Sequence, residues 1–131
     1  MNFVADTSVW SYFLRHAKRQ QSSKVETLKQ GILEGSVHML GIIRQELLSG
    51  IREPLHSQKM TDLLDGFPDL LATREDHLLA AEFFNSCRRK GVQGTHIDFL
   101  ICAQAVRHEL PVLTTDKDFL GYAKHLPVKL I

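Results

Sequence analysis

Apolar and polar positions fall in blocks along this chain: short apolar runs are followed by longer stretches in which apolar residues return every three or four positions. Phe3, Val4 and Ala5 form the first short run, rich in β-branched and aromatic residues, and predict a buried strand that stops on Asp6. "TSVWSYFLRHA" then predicts a helix. In "SSKVETLKQGILEG", Val25, Leu28 and Ile32 share one helical face, and Ser23 and Glu26 stand at capping-box spacing. "SVHML" predicts a second strand, "GIIRQELLSG" a short helix closed by Gly50, and "HSQKMTDLLDGF" another ended by Gly66 and Pro68. "LLAT" reads as a strand, and Thr73 as the cap of the strongly periodic "REDHLLAAEFFNSCRRKG". A helix beginning near Thr95 in "GTHIDFLICAQAVRHEL", a buried strand "PVLTT", a helix "DKDFLGYAKHL" and a last strand "VKLI" complete the pattern.

Strand and helix units that repeat in this way imply a three-layered α/β domain around a central, mostly parallel sheet with right-handed crossovers. At 131 residues, residues 1–131 are expected to form one domain that buries roughly two thirds of its unfolded surface. Hydrophobic residues make up 44% and charged residues 24%, the make-up of a soluble globular protein, and no apolar stretch approaches the roughly 18 residues of a membrane helix. The first apolar run ends on an acid without a basic leader or cleavage site, so the expected location is the cytosol. Cys87 and Cys102 lie in helical patterns and read as reduced, packed thiols.

Four acids stand out against this background. Asp6 and Asp116 each end a predicted strand, and in an open parallel sheet ligands bind at the carboxyl ends of the strands. Glu46 follows Ile42 by four residues and Ile43 by three, which puts it on or beside the apolar stripe of its helix. Asp98 precedes Ile101 and Cys102 by three and four residues and projects toward protein in the same way. Each of the helical acids has a plainer reading. Glu46 at the edge of the stripe can pair with Arg44 or Arg52, and Asp98 can serve as the third helical residue of a cap formed by Thr95.

Together the acids are costly, since two carboxylates 4 Å apart repel by roughly 4 kcal/mol at an effective dielectric of 20. A divalent cation offsets such a cost, and an all-oxygen set suits Mg²⁺ or Mn²⁺. No HExxH or CxxC pattern favours zinc, and the seven histidines are scattered. His96 reads as a surface residue close to Asp98.

The net charge of +1 neither demands nor forbids an anionic partner, so nucleic-acid binding would require a localised site. Basic residues cluster in "RHAKRQ" (Arg15, Lys18, Arg19) and "CRRKG" (Arg88, Arg89, Lys90). The second cluster also suits a last helical turn, where cations complement the helix dipole.

"VADTSVW", "RQELLSGI", "THIDFLICAQA" and "LPVLTTDKDF", in this order and closing with "VKLI", resemble the PIN-domain nucleases, and among them the VapC-type toxins of toxin–antitoxin pairs. The resemblance spans nearly the whole chain. It implies an α/β/α PIN-like fold, Mg²⁺- or Mn²⁺-dependent cleavage of RNA that leaves 5′-phosphate and 3′-hydroxyl ends, a small cognate antitoxin as partner, and a homodimer. By position it implies Asp6, Glu46, Asp98 and Asp116 as catalytic, metal-binding acids, with Ser8, Thr115 and Asp118 supporting them. Arg15, Lys18, Arg88, Arg89 and Lys90 are then candidates for the RNA backbone.

Two other readings compete with a nuclease. A phosphotransferase that uses Asp6 as nucleophile lacks the second acid of a D-x-D motif, because Ser8 stands there. A non-catalytic module that docks protein or RNA would have no use for mutually repelling carboxylates.

Overall fold

The computed structural model describes residues 1–16 and 22–131. Its elements run β1 (Phe3–Ala5), α1 (Thr7–His16), α2 (Ser23–Glu34), β2 (Val37–Leu40), α3 (Gly41–Leu48) and α4 (Pro54–Leu64). They continue with β3 (Asp69–Leu70), α5 (Arg74–Arg89), α6 (His96–Arg107), β4 (Val112–Leu113) and α7 (Asp118–Ala123). The strands form one four-stranded sheet in the order β3-β2-β1-β4, with every pairing parallel.

The first strand lies inside the sheet, between β2 and β4. Phe3, Val4 and Ala5 are all buried, flanked by β2 through Phe3↔Val37 and by β4 through Ala5↔Leu113. Helices flank this sheet in two packed sets, α1 with α2 and α3, and α5 with α6. One close approach fixes α2 on the sheet: a Cβ on Gly31 would meet Phe3 at 2.5 Å, so glycine is needed there. Cys87 and Cys102 are buried, free thiols.

The strands and caps depart from the sequence reading in five places. "LLAT" is not a strand. β3 lies one residue earlier, because Asp69 and Leu70 pair with Met39 and Leu40 while Arg44 holds the Asp69 carboxylate at 2.9 Å. The same guanidinium donates to the carbonyls of Leu64 and Phe67 and so ties α3 to the end of α4. The strand in "PVLTT" stops at Leu113, since the next backbone groups turn toward side chains, the Thr115 N–H to Ser8 Oγ at 3.2 Å. "VKLI" contributes a single parallel bridge, Val112↔Leu130.

Ser23 is the first residue of α2 rather than its cap. Ser22 occupies the cap position without a side-chain hydrogen bond, so the expected box with Glu26 is not made. The start of α4 also comes earlier than expected. Glu53 caps it by accepting from the N–H groups of Leu55 and His56, with Pro54 in the first turn. In the apolar run "VWSYFL", Val9 and Trp10 are fully buried and Trp10 packs edge-on against Phe13 and Phe67.

Candidate functional site

The strand ends and the first turn of α6 bring the predicted acids to one edge of the sheet. Asp6 leaves β1 with its N–H bonded to the Leu113 carbonyl at 2.9 Å and is only 3% exposed. Its oxygens are divided between two hydroxyls. Ser8 donates to Oδ1 at 2.6 Å, and Thr114 donates to Oδ2 at 3.0 Å. Ser8 in turn accepts from the Thr115 hydroxyl at 3.0 Å, which locks the start of α1 to the end of β4. Burial pushes the Asp6 carboxyl above its ordinary value of 3.8. The Ser8, Thr114 and Val9 hydrogen bonds oppose that rise, and Asp116 adds to it. A carboxylate so enclosed makes a poor nucleophile, which disfavours the phosphotransferase reading.

Asp98 enters from α6. Thr95 caps that helix by accepting the Asp98 N–H at 3.0 Å, as the plainer reading expected. The Asp98 carboxylate is also held from farther along the chain. Its Oδ2 accepts the Tyr122 hydroxyl at 2.6 Å. Burial raises the Asp98 pKa, with Asp116 and Glu46 adding repulsion, against the Tyr122 and Thr95 hydrogen bonds that lower it.

Asp116 accepts the Asp118 N–H at 2.9 Å and thereby shapes the entry to α7. Asp98, Asp116 and Asp118 each present a carboxylate oxygen within 4.8 Å of the others, a separation that one cation can span. Asp118 thus joins the group more closely than its peripheral assignment suggested. Glu46 accepts the Thr7 hydroxyl at 2.6 Å and is in no ion pair among the described residues. Arg44, its expected alternative partner, is occupied by Asp69.

The donor set fits a hard divalent cation: oxygen ligands converge, and the acids repel one another. Arg15 lines a groove of about 200 Å³ that it shares with Glu46. Arg88 and Arg89 close α5, with Lys90 at its cap, at the end where Phe84 packs on His96. Lys18 and Arg19 lie outside the described residues.

Sequence reasoning missed three hydroxyls that hold the acids, those of Thr7, Thr114 and Tyr122. Thr114 and Thr7 each adjoin a site segment and were open to the same neighbour argument that singled out Ser8. Tyr122 stands 24 residues from Asp98 and had no local signal. It is 1% exposed, and a Cβ on Gly94 would strike its ring at 2.7 Å, so glycine leaves the room in which the phenol sits.

The PIN domain family model matches residues 3–125. Among solved structures, the chain is similar to VapBC2 from Rickettsia felis bound to a DNA fragment from its promoter, with TM-score 0.81 and 16% identity over 100% of this chain and 98% of that one. FitAcB from Neisseria gonorrhoeae superposes with TM-score 0.76 and 22% identity over 98% and 96% of the two chains. For VapBC-5, a VapBC-family toxin–antitoxin complex from Mycobacterium tuberculosis, the values are 0.72, 18%, 99% and 97%. No curated protein matches the chain.

Proposed function

Because this chain belongs to the PIN domain family, we propose that it is a Mg²⁺- or Mn²⁺-dependent endoribonuclease, the toxin of a toxin–antitoxin pair. The observation that carries the reading is the convergence of Asp98, Asp116 and Asp118 within 4.8 Å, beside a buried Asp6 that Asp116 repels. A fold keeps such a cluster at a cost in stability, and the cost has a purpose if a cation is held there.

Asp98, Asp116 and Asp118 would hold the ion, with Asp6 and Glu46 completing the negative field. When bound, the cation supplies an acidified water for attack on the phosphodiester and neutralises charge on the leaving oxygen. The protein's share of the work is positioning. Ser8 and Thr114 fix both oxygens of Asp6, Thr7 fixes Glu46, and Tyr122 fixes Asp98. Thr115 supports Ser8 from the other side. Arg15, Arg88, Arg89 and Lys90 are the described cations proposed to meet the phosphate backbone.

Two of the similar structures are named VapBC, and that from Mycobacterium tuberculosis is a member of the VapBC family of toxin–antitoxin systems. A small antitoxin that covers the acidic groove is the corresponding partner here, with the toxin assembled as a homodimer in the cytosol. Among the described residues no helix is long and apolar enough to cross a membrane.

The test is incubation of the purified protein with total cellular RNA in Mg²⁺, in Mn²⁺ and in chelator, beside an Asp6→Asn variant. Fragments that require metal and vanish in the variant are expected. No cleavage in any condition, together with no rise in melting temperature on adding metal, would replace the nuclease by a docking module.

A further inference from the structure

At the C-terminal end of α7, an open groove of about 430 Å³ lies between the last turns of α5 and the segment that follows Ala123. Glu82, Ser86 and Arg89 line one wall, and His125 and Pro127 the other. At helical spacing those three residues of α5 share one side of the helix, while Ala81 and Phe84 stand on another, beside α6. The groove is therefore separate from the apolar surface that α5 and α6 form together.

Arg89 and His125 reach this groove from positions 36 residues apart. A cationic last turn of α5 complements the helix dipole without any help from His125, so the dipole does not account for the pair. Arg89 is exposed, His125 is half-buried, and neither is in an ion pair among the described residues. The placement of His125 is also tied to the acids. Its backbone N–H donates to the Tyr122 carbonyl at 3.0 Å, and the Tyr122 hydroxyl donates to Asp98. On the other wall, Arg89 stands six residues before Thr95, the cap of the helix that carries Asp98. Both walls thus adjoin segments that set the acidic cluster.

We propose that Arg89, His125 and Ser86 form a phosphate clamp, which takes one phosphodiester of the RNA strand away from the bond that is cut. The proposal rests on the nuclease reading above. Arg89 supplies a charged, forked donor, and His125 and Ser86 add single N–H and O–H donors. Glu82 bounds the clamp. It stands seven residues from Arg89, about 10 Å along the helix, and repels a second phosphate at that end. A place for one anion beside an acidic centre suits a strand held at a distance from its scissile bond. An acidic peptide fits less well, because Glu82, Asp116 and Asp118 would oppose its further carboxylates.

The experiment uses the full chain in an Asp6→Asn background, with Mg²⁺ present and cleavage stopped. Fluorescence anisotropy follows a labelled single-stranded oligo(U) dodecamer and an abasic ribose-phosphate chain of equal length. Adding Arg89→Ala should weaken both about tenfold and reduce the slope of log affinity against log salt by about 0.7, the share of one phosphate on a single strand. Adding His125→Ala should weaken both about threefold, and His125→Gln, which keeps an N–H donor, should restore them. Mn²⁺ affinity in calorimetry should stay the same throughout.

Equal RNA affinity in all these proteins, while the unmutated chain still cuts RNA, overturns the clamp and spares the nuclease. A loss of RNA binding that comes with a loss of Mn²⁺ binding also overturns it, and makes the two residues supports of Tyr122. So does unchanged RNA binding with loss of a labelled polyglutamate peptide, which would make an acidic peptide the occupant. If the unmutated chain neither cuts nor binds RNA, both readings fall.

Discussion

Helices α5 and α6 begin alike, pack side by side, and put their acids to opposite uses. Each has a threonine cap and an aspartate three residues on, Thr73 with Asp76 and Thr95 with Asp98, and each threonine accepts the N–H of its aspartate. Asp76 returns the bond, accepting the Thr73 N–H at 2.8 Å, and takes Arg107 at 3.0 Å. Asp98 gives its Oδ2 to the Tyr122 hydroxyl and faces other acids.

The pKa directions follow from these surroundings. Desolvation acts to raise both groups, but the Thr73 and Arg107 bonds hold Asp76 below 3.8, whereas Asp98 stays above it. The same local grammar therefore yields a structural acid where a cation is built in, and an unneutralised one where it is not. What separates them is a partner supplied from far along the chain.

Asp98→Asn should break the comparison most sharply. It is expected to lower metal-dependent RNA cleavage by about a thousandfold or more, and to remove the rise in melting temperature that metal produces. The metal-free protein should be as stable as the parent or more so, because a repelled carboxylate is gone. A loss of stability with cleavage retained would make Asp98 a helix cap.

Asp76→Asn should do the reverse. It removes the counter-charge from a side chain with no exposed surface while Arg107 keeps 38% of its own, so the expected cost is about 2 kcal/mol in a denaturant titration, with cleavage per folded molecule unchanged. The pH dependence gives the sign. A group whose folded pKa is depressed contributes stability that is complete above 3.8 and lost as pH falls through the folded value. Asp98, raised, contributes in the other sense: its share is complete below 3.8 and lost as pH rises through the folded value. Melting curves in chelator should therefore flatten on the acid side in Asp76→Asn, and toward neutral pH in Asp98→Asn.

Tyr122→Phe gives the smallest and most specific effect. Ring packing against Phe99 and Phe119 is kept, so the melting temperature should hardly move. Loss of the hydroxyl that orients Asp98 should weaken Mn²⁺ binding by about tenfold in calorimetry. An unchanged Mn²⁺ affinity would assign the phenol to packing alone.

Much of this was legible in the residues themselves. Asp6 and Asp116 declared themselves by ending apolar runs, and Glu46 and Asp98 by standing on apolar stripes. The Thr-x-x-Asp spacing of Asp76 was also on view, but Arg107, 31 residues later, is brought to it by the packing of α5 on α6. Tyr122 is hidden for the same reason, because α7 carries it to α6. Asp69 reads as a loop acid by type, and only the guanidinium of Arg44 and the edge of β2 make it part of a strand. The start of α4 is a different matter. Glu53 and Pro54 form a local start signal that the apolar run beginning two residues later obscured.

The order of the strands also sets a clock. Thr114 reaches back across 108 residues to hold Asp6, and Asp116, Asp118 and Tyr122 follow it in the chain. During synthesis at roughly 5–20 residues per second, Asp6 is made about 5–20 s before the hydroxyl that fixes it. A nascent chain that has not yet reached β4 has three of the four strands and lacks Asp116 and Asp118, two of the three clustered acids. The site of the proposed nuclease thus cannot assemble before β4 and α7 have been made.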